Sequence, residues 1–352
     1  MEVTRDRQAL LPRVLILYTG GTFGMEPGLS LPELSPELSI DSLRERLQAR
    51  VPELAQLARC DIEIVLNRDS AHLGPDEWLL LARRIRQNWR RYHGVVILHG
   101  TDTLAYSASA LSFLLRPCLK PVVMTGAQRP LSALRTDARR NLISAVDIAA
   151  HGPRAVVGQV TLFFDDVLLQ GNRARKRSAS EFAAFESPQA APLAVVGTSI
   201  RYAQTRSAAT RAPALKPVFN RKVSMLQVTP GFPAEEIAKG LLPRLDGLVL
   251  IVFPSVTAPT HDERFLELLR GARRRGLPVV IVTESASHAG ATDRGASPGS
   301  YAAGRQLIEE GCLWAGPMTP ECAYVKTQLL LGQGGGGSAF ARRWKHDYAG
   351  ET

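Results

Sequence analysis

Short apolar runs alternating with longer amphipathic stretches constrain this chain more than any other feature. The runs Val14–Leu17, Ile62–Leu66, Val95–Leu98, Val122–Met124 and Val156–Phe164 are rich in Val, Ile and Leu. Runs of this kind suit strands buried on both faces of a sheet, and parallel strands need helical crossovers between them. The crossovers are legible too. From Pro75 to Tyr92, Trp78, Ala82, Ile85, Trp89 and Tyr92 recur at three- and four-residue steps with Arg on the opposite side. That spacing predicts an amphipathic helix, and Pro75 with Asp76 suits its start. Asp137–Ala150 repeats the pattern. The fold class expected is α/β.

A chain of 352 residues is long enough for two domains. The stretch 201–222 is polar, rich in Ala and Pro and without period, and reads as a linker. It separates an N-terminal domain, 1–200, from a C-terminal domain, 223–352. The second domain alternates again: strand Gly247–Phe253, helix Asp262–Arg275, strand Val279–Thr283, helix Tyr301–Glu310. A last helix begins at Thr319-Pro320-Glu321, where Thr caps and Pro takes the first turn. The glycine-rich stretch 332–340 reads as a flexible joint.

Composition removes several function classes. Lys and Arg number 43 against 33 Asp and Glu, a net charge of +10. The excess is Arg dispersed along helices (Arg83, Arg84, Arg86, Arg90, Arg91; Arg270, Arg273, Arg274, Arg275), without interleaved aromatics. Solvated helix faces explain it better than a nucleic-acid stripe. Cys60, Cys118, Cys312 and Cys322 form no C-x-x-C pair and have no His at metal-ligand spacing, so they read as core residues. No apolar run approaches the roughly 20 residues of a membrane span. The N-terminal segment has neither the basic start nor the cleavage site of a secretory signal, and the compartment expected is the cytoplasm.

In open parallel sheets, ligands bind beyond the carboxyl ends of the strands. The segments there are Tyr18-Thr19-Gly20-Gly21-Thr22-Phe23-Gly24, Asn67-Arg68-Asp69-Ser70, His99-Gly100-Thr101-Asp102-Thr103 and Thr125-Gly126-Ala127-Gln128-Arg129-Pro130. Four successive strands thus deliver hydroxyls, carboxylates and glycines to one rim. The glycines do not have dinucleotide or P-loop spacing. Gly20 and Gly21 instead allow a tight turn, in which Thr22 is either a turn residue only or brings its hydroxyl and the backbone close to a small ligand. Thr101-Asp102 fits either a helix cap or a hydroxyl beside a carboxylate able to grip an ammonium. A Thr nucleophile needs an adjacent base. Lys176, one of only seven lysines, follows the strand pair Val160–Gln170 among basic neighbours and is either that base or a surface lysine.

The combination YTGGTFGM (18–25), DS (69–70), HGTDTLAYSASALSFLL (99–115), KPVVMTGAQRPLSALRTDARRNL (120–142), GNRARK (171–176) and FAAFESP (182–188) resembles the asparaginase family, specifically its cytoplasmic bacterial type I branch. The likeness continues into MTPECAYVKTQLLL near the C-terminal end. The resemblance implies a larger N-terminal flavodoxin-like parallel-sheet domain and a smaller C-terminal α/β domain. It implies hydrolysis of L-asparagine to aspartate and ammonia, without metal or cofactor, in a homodimer or homotetramer. Thr22 would be the primary nucleophile, forming an acyl-enzyme. Thr101, Asp102 and Lys176 would be the second catalytic set, with Lys176 tuning Thr101. Asp69 and Ser70 would hold the substrate α-carboxylate and its surroundings, Asp102 the α-ammonium, with Gly21 and Gly100 lining the site.

Three departures stand out. The loop after the first motif, residues 26–31, lacks the Tyr that many members use as proton acceptor. Tyr301 matches a Tyr that serves this purpose in relatives resembling the mammalian cytosolic enzyme, and Tyr301 of this or a neighbouring subunit is the candidate. Thr257 stands where a substrate-contacting Asn is expected, and Ile251 lies near the position of an absent allosteric Arg. These changes keep open an amidohydrolase preferring glutamine or another small amide, and a weakly catalytic amino-acid-binding homologue. An amidotransferase subunit is a more remote reading.

Overall fold

The computed structural model describes residues 10–25, 39–204, 212–284 and 297–352. The chain divides into two compact units, Met1–Ser187 with Ala191–Ala209, and Pro188–Ala190 with Thr210–Thr352.

The first unit is built on an eight-stranded sheet. Strands β1 (Arg13–Tyr18), β2 (Arg59–Ile64), β3 (Gly94–Leu98), β4 (Val122–Thr125) and β5 (Val160–Phe164) are parallel, in the order β2-β1-β3-β4-β5. This is the flavodoxin-like order. Strand β6 (Val167–Gln170) turns back beside β5, and after a short ribbon, β7 (Arg175–Lys176) with β8 (Phe185–Glu186), strands β9 (Ala194–Val196) and β10 (Ile200–Tyr202) extend the sheet antiparallel. Helices α1 (Ile40–Arg50), α2 (Pro75–Asn88), α3 (Leu104–Leu114) and α4 (Ala138–His151) flank it.

Burial explains the apolar runs. Val14, Ile16 and Tyr18 join a core with Leu43 and Leu47 of α1 and Leu142 and Ala145 of α4. The alternate residues Leu15 and Leu17 are buried on the opposite face. Each such side chain contributes about 1.5–3 kcal/mol on burial. Helix α2 buries Trp78, Leu81, Ala82 and Ile85 and leaves Arg83, Arg84 and Arg86 exposed. The Trp78 indole N–H donates to Ser107 Oγ at 2.9 Å, tying α2 to α3.

The second unit carries four parallel strands in sequence order: β11 (Val223–Gln227), β12 (Gly247–Val252), β13 (Val279–Thr283) and β14 (Leu313–Trp314). Helices α5 (Glu263–Arg274), α6 (Ala302–Glu309), α7 (Pro320–Gly332) and α8 (Gly337–Trp344) accompany them. Asp262 caps α5 by accepting from the Arg264 N–H, and Thr319 caps α7 by accepting from the Cys322 N–H.

Several boundaries differ from the sequence reading. The run expected as strand Val156–Phe164 begins as strand only at Val160, because Arg154–Val157 closes one helical turn first. Strand β2 starts at Arg59 and not Ile62, since register with β1 extends back to Arg13. Ile200–Tyr202, at the start of the expected linker, pairs with β9 as an edge strand. The glycine-rich stretch is not all joint: Gly334 and Gly335 adopt positive φ, but α8 starts at Gly337 and buries Phe340 and Trp344.

Candidate functional site

The strand order reverses between β1 and β3, and ligands of doubly wound sheets bind in the crevice at that switch point. The two threonine motifs leave the sheet there, one from each strand. Four glycine positions show how closely the exit loops pack. A Cβ on Gly21 would lie 2.5 Å from Gly100 Cα, and one on Gly20 would lie 2.2 Å from the Arg68 carbonyl oxygen. A Cβ on Gly100 would lie 2.7 Å from Ser70 Cβ, and one on Gly126 would lie 2.3 Å from the His99 carbonyl oxygen. Side chains at these positions are therefore excluded by neighbouring loops. Gly20 and Gly21 also have φ of 113° and 82°, values that L side chains resist.

Thr22 opens a single 3-10 turn, Thr22–Gly24, directly after this contact and is half-buried. From β3, the buried Thr101 and exposed Asp102 both reach Lys176 on β7: Nζ donates to Thr101 Oγ1 at 2.8 Å and to Asp102 Oδ1 at 2.7 Å. Neither residue caps α3, whose N-cap is Thr103; the Thr103 hydroxyl donates instead to the Ser70 carbonyl at 2.7 Å. The helix-cap reading of Thr101-Asp102 is thereby corrected. Lys176 is no surface-loop lysine, with 16% of its side chain exposed. Because Thr101 Oγ1 accepts from Lys176, its own proton is left for another acceptor. The Asp102 side chain is 66% exposed, leaving carboxylate surface for a cationic ligand group.

On the β2 side, Asp69 is exposed and accepts from the Ala71 N–H at 2.8 Å, while Ser70 is buried against Gly100. Tyr301 belongs to the second unit. It is the residue before α6 and is 55% exposed, not buried in a core. Thr257 also lies in the second unit, where its carbonyl accepts from the Phe253 N–H in a tight turn after β12. Val256 in that turn is buried with φ of 56°, a strained value for a β-branched residue.

Sequence reasoning gave no role to His99, Asp137 or Asn141. His99 is buried immediately before Gly100; its Nδ1 lies 2.7 Å from the Gly100 carbonyl oxygen, so Nδ1 carries the proton. Burial holds its pKa down to about 4 against the raising effect of that hydrogen bond. Asp137 and Asn141 are buried around the loop after β4. The thiols of Cys60, Cys118 and Cys312 are pushed up to about 12, chiefly by burial, in keeping with packing residues. Among the described residues no group of three or more His, Cys, Asp or Glu side chains could hold a metal ion, and no helix is long and apolar enough to cross a membrane.

The family models described as "Asparaginase, N-terminal" and "Glutaminase/Asparaginase C-terminal domain" match residues 13–208 and 222–342. The chain belongs to the asparaginase family. It is 34% identical to L-asparaginase 1 of Escherichia coli K12 over 325 residues, covering 91% of this chain and 92% of that one. It is 36% identical over 344 residues to human 60 kDa lysophospholipase, covering 92% of this chain but only 58% of the human protein. Among solved structures, L-asparaginase I of Vibrio cholerae superposes with a TM-score of 0.80 at 32% identity, covering 97% of this chain and 99% of that one. This asparaginase-family chain therefore has the relatives' two-domain α/β fold over nearly its whole length.

Proposed function

We propose that this chain is an L-asparaginase, hydrolysing L-asparagine to L-aspartate and ammonia through a Thr22 acyl-enzyme. The observation that carries the reading is the Lys176 ammonium held on both Thr101 and Asp102, at 2.8 and 2.7 Å, beside the Gly21–Gly100 contact that delivers Thr22. Asp102 presents its carboxylate to the α-ammonium of the substrate. Asp69 and Ser70, with the backbone around Gly21 and Gly100, surround its α-carboxylate. The Thr22 oxygen attacks the side-chain amide carbon as its proton passes to Tyr301, and the C–N bond breaks as the nitrogen takes a proton from the Thr101–Lys176 pair and leaves as ammonia. Water then cleaves the ester, its proton restoring that pair and the Tyr301 proton returning to Thr22.

The relatives' names support this reading, and the reading carries a cytoplasmic homodimer or homotetramer acting without a cofactor. Tyr301, from this or a neighbouring subunit, is the proton acceptor for Thr22. Asparagine is preferred here over glutamine as the named substrate of the relatives. One methylene is worth only about 1–3 kcal/mol of discrimination.

The test is ammonia release from L-asparagine, L-glutamine and D-asparagine, with lysophosphatidylcholine hydrolysis measured alongside because of the human relative's name. Turnover of L-asparagine that collapses in Thr22→Ala and falls in Tyr301→Phe is the expected result. No release from any amide, with L-asparagine still raising the melting temperature, would replace the enzyme with a binding protein.

A further inference from the structure

We propose that Asp137 is a positioning residue for turnover, its buried carboxylate fixing the loop after β4 that backs the Thr101 motif; the inference rests on the asparaginase reading above. Asp137 is 3% exposed, and among the described residues its carboxylate is met by N–H groups. The Gln128 N–H donates to its two oxygens at 2.9 and 3.1 Å, the Arg129 N–H to Oδ1 at 3.0 Å, and Asn141 Nδ2 to Oδ2 at 3.2 Å. The orientation of the Asn141 amide is fixed independently, because its Oδ1 accepts from the Asp165 N–H and its Nδ2 also donates to the Gly126 carbonyl. Every group facing Asp137 is therefore a donor. An amide in its place would turn an NH2 onto N–H groups, so the site calls for a carboxylate and not merely a polar side chain.

Asp137 stands immediately before α4 yet makes no side-chain cap to it; the carboxylate serves the loop instead. The loop transmits its position directly. Gly126 packs on the His99 carbonyl with no room for a Cβ, and that Cβ would also lie 3.6 Å from Thr101 Cγ2. The His99 N–H donates to the Thr125 carbonyl at 2.9 Å. Thr136 adds a second tie, donating to the Arg129 carbonyl at 3.1 Å and accepting from the Ala138 N–H. Movement of residues 126–129 therefore displaces the peptide that carries Thr101.

The experiment compares the full chain with Asp137→Asn, Thr136→Val and, as control, Arg139→Gln on the exposed side of α4. Steady-state kinetics on L-asparagine are combined with amide hydrogen exchange at Gln128 and Arg129. Asp137→Asn is expected to lower kcat about 10²-fold with little change in KM, and Thr136→Val about threefold to tenfold. Exchange at Gln128 and Arg129 is expected to accelerate in Asp137→Asn, while Arg139→Gln matches the parent throughout. A kcat within about twofold of the parent in both variants overturns the proposal, as does accelerated exchange with kcat intact. If Asp137→Asn does not fold, the milder Thr136→Val decides. A parent chain that releases ammonia from no amide sinks the asparaginase reading instead, and the exchange data then decide by themselves whether Asp137 holds the loop.

Discussion

Lys176 Nζ sits 2.8 Å from Thr101 Oγ1, bridging a two-residue ribbon strand to the exit of a central strand 75 residues earlier. The pairing predicts that the lysine matters through its nitrogen and not its bulk. Lys176→Met keeps the packed stem and removes the nitrogen proposed above to carry the proton. Its kcat for L-asparagine is expected to fall about 10²–10⁴-fold, the range for loss of a general acid–base group, with the melting temperature nearly unchanged. Ammonia release under single-turnover conditions checks it.

Gly21 allows a second prediction. Gly21→Ala places a methyl group 2.5 Å from Gly100 Cα in a backbone with φ of 82°. Gly231→Ala has a similar φ of 73° but meets nothing within 4 Å. Conformational strain alone costs about 1–2 kcal/mol, which is the whole effect expected at Gly231. Calorimetry should show a larger loss for Gly21→Ala, accompanied by loss of turnover, because the two motifs are forced apart.

The buried His99 ring sets a pH dependence. Its pKa falls from 6.5 to about 4 on burial, so between those values the unfolded chain binds more protons than the folded one. Stability therefore rises with pH across that window and is lost as pH drops from 6.5 toward 4, by up to about 3 kcal/mol for this group. Melting temperatures of the parent should fall more steeply over pH 6.5 to 4 than those of His99→Gln. An equal slope would show that His99 does not contribute.

A buried ion pair in the second unit predicts non-additive behaviour. Lys326 and Glu351 are 1% and 0% exposed and 2.7 Å apart. The ammonium also donates to the His346 carbonyl and faces the rings of Trp344 and Tyr348, while the carboxylate accepts from the Tyr348 and Ala349 N–H groups. Lys326→Met strands the carboxylate and is expected to cost about 3–5 kcal/mol. Adding Glu351→Leu should recover part of that loss, which denaturant titration of the single and double variants would reveal.

Much of the fold and the rim chemistry could be read from local pattern. Strand β3 and helix α2 announce themselves through continuous burial and a 3.6-residue stripe, because burial on two faces or one imposes that spacing. Lys176 was ambiguous until it was seen against Thr101, since a lysine in a basic loop looks the same whether solvated or buried. The strand running from Val160 could not be separated from the turn before it, because both halves of that run are apolar. Asp137 carried no role in the sequence, because it stands at the edge of a helical pattern and its partners Gln128 and Arg129 lie eight to nine residues earlier.

The α/β class, the glycines at strand ends and the threonine motifs follow from neighbours close in the chain. Which of those residues meet follows from the packing of distant segments. The order β2-β1-β3-β4-β5 puts the exits of β1 and β3 side by side, presses Gly21 onto Gly100, and brings Lys176 to Thr101. Those contacts span tens of residues, and their partners are chosen by the packing of the sheet and not by any local propensity.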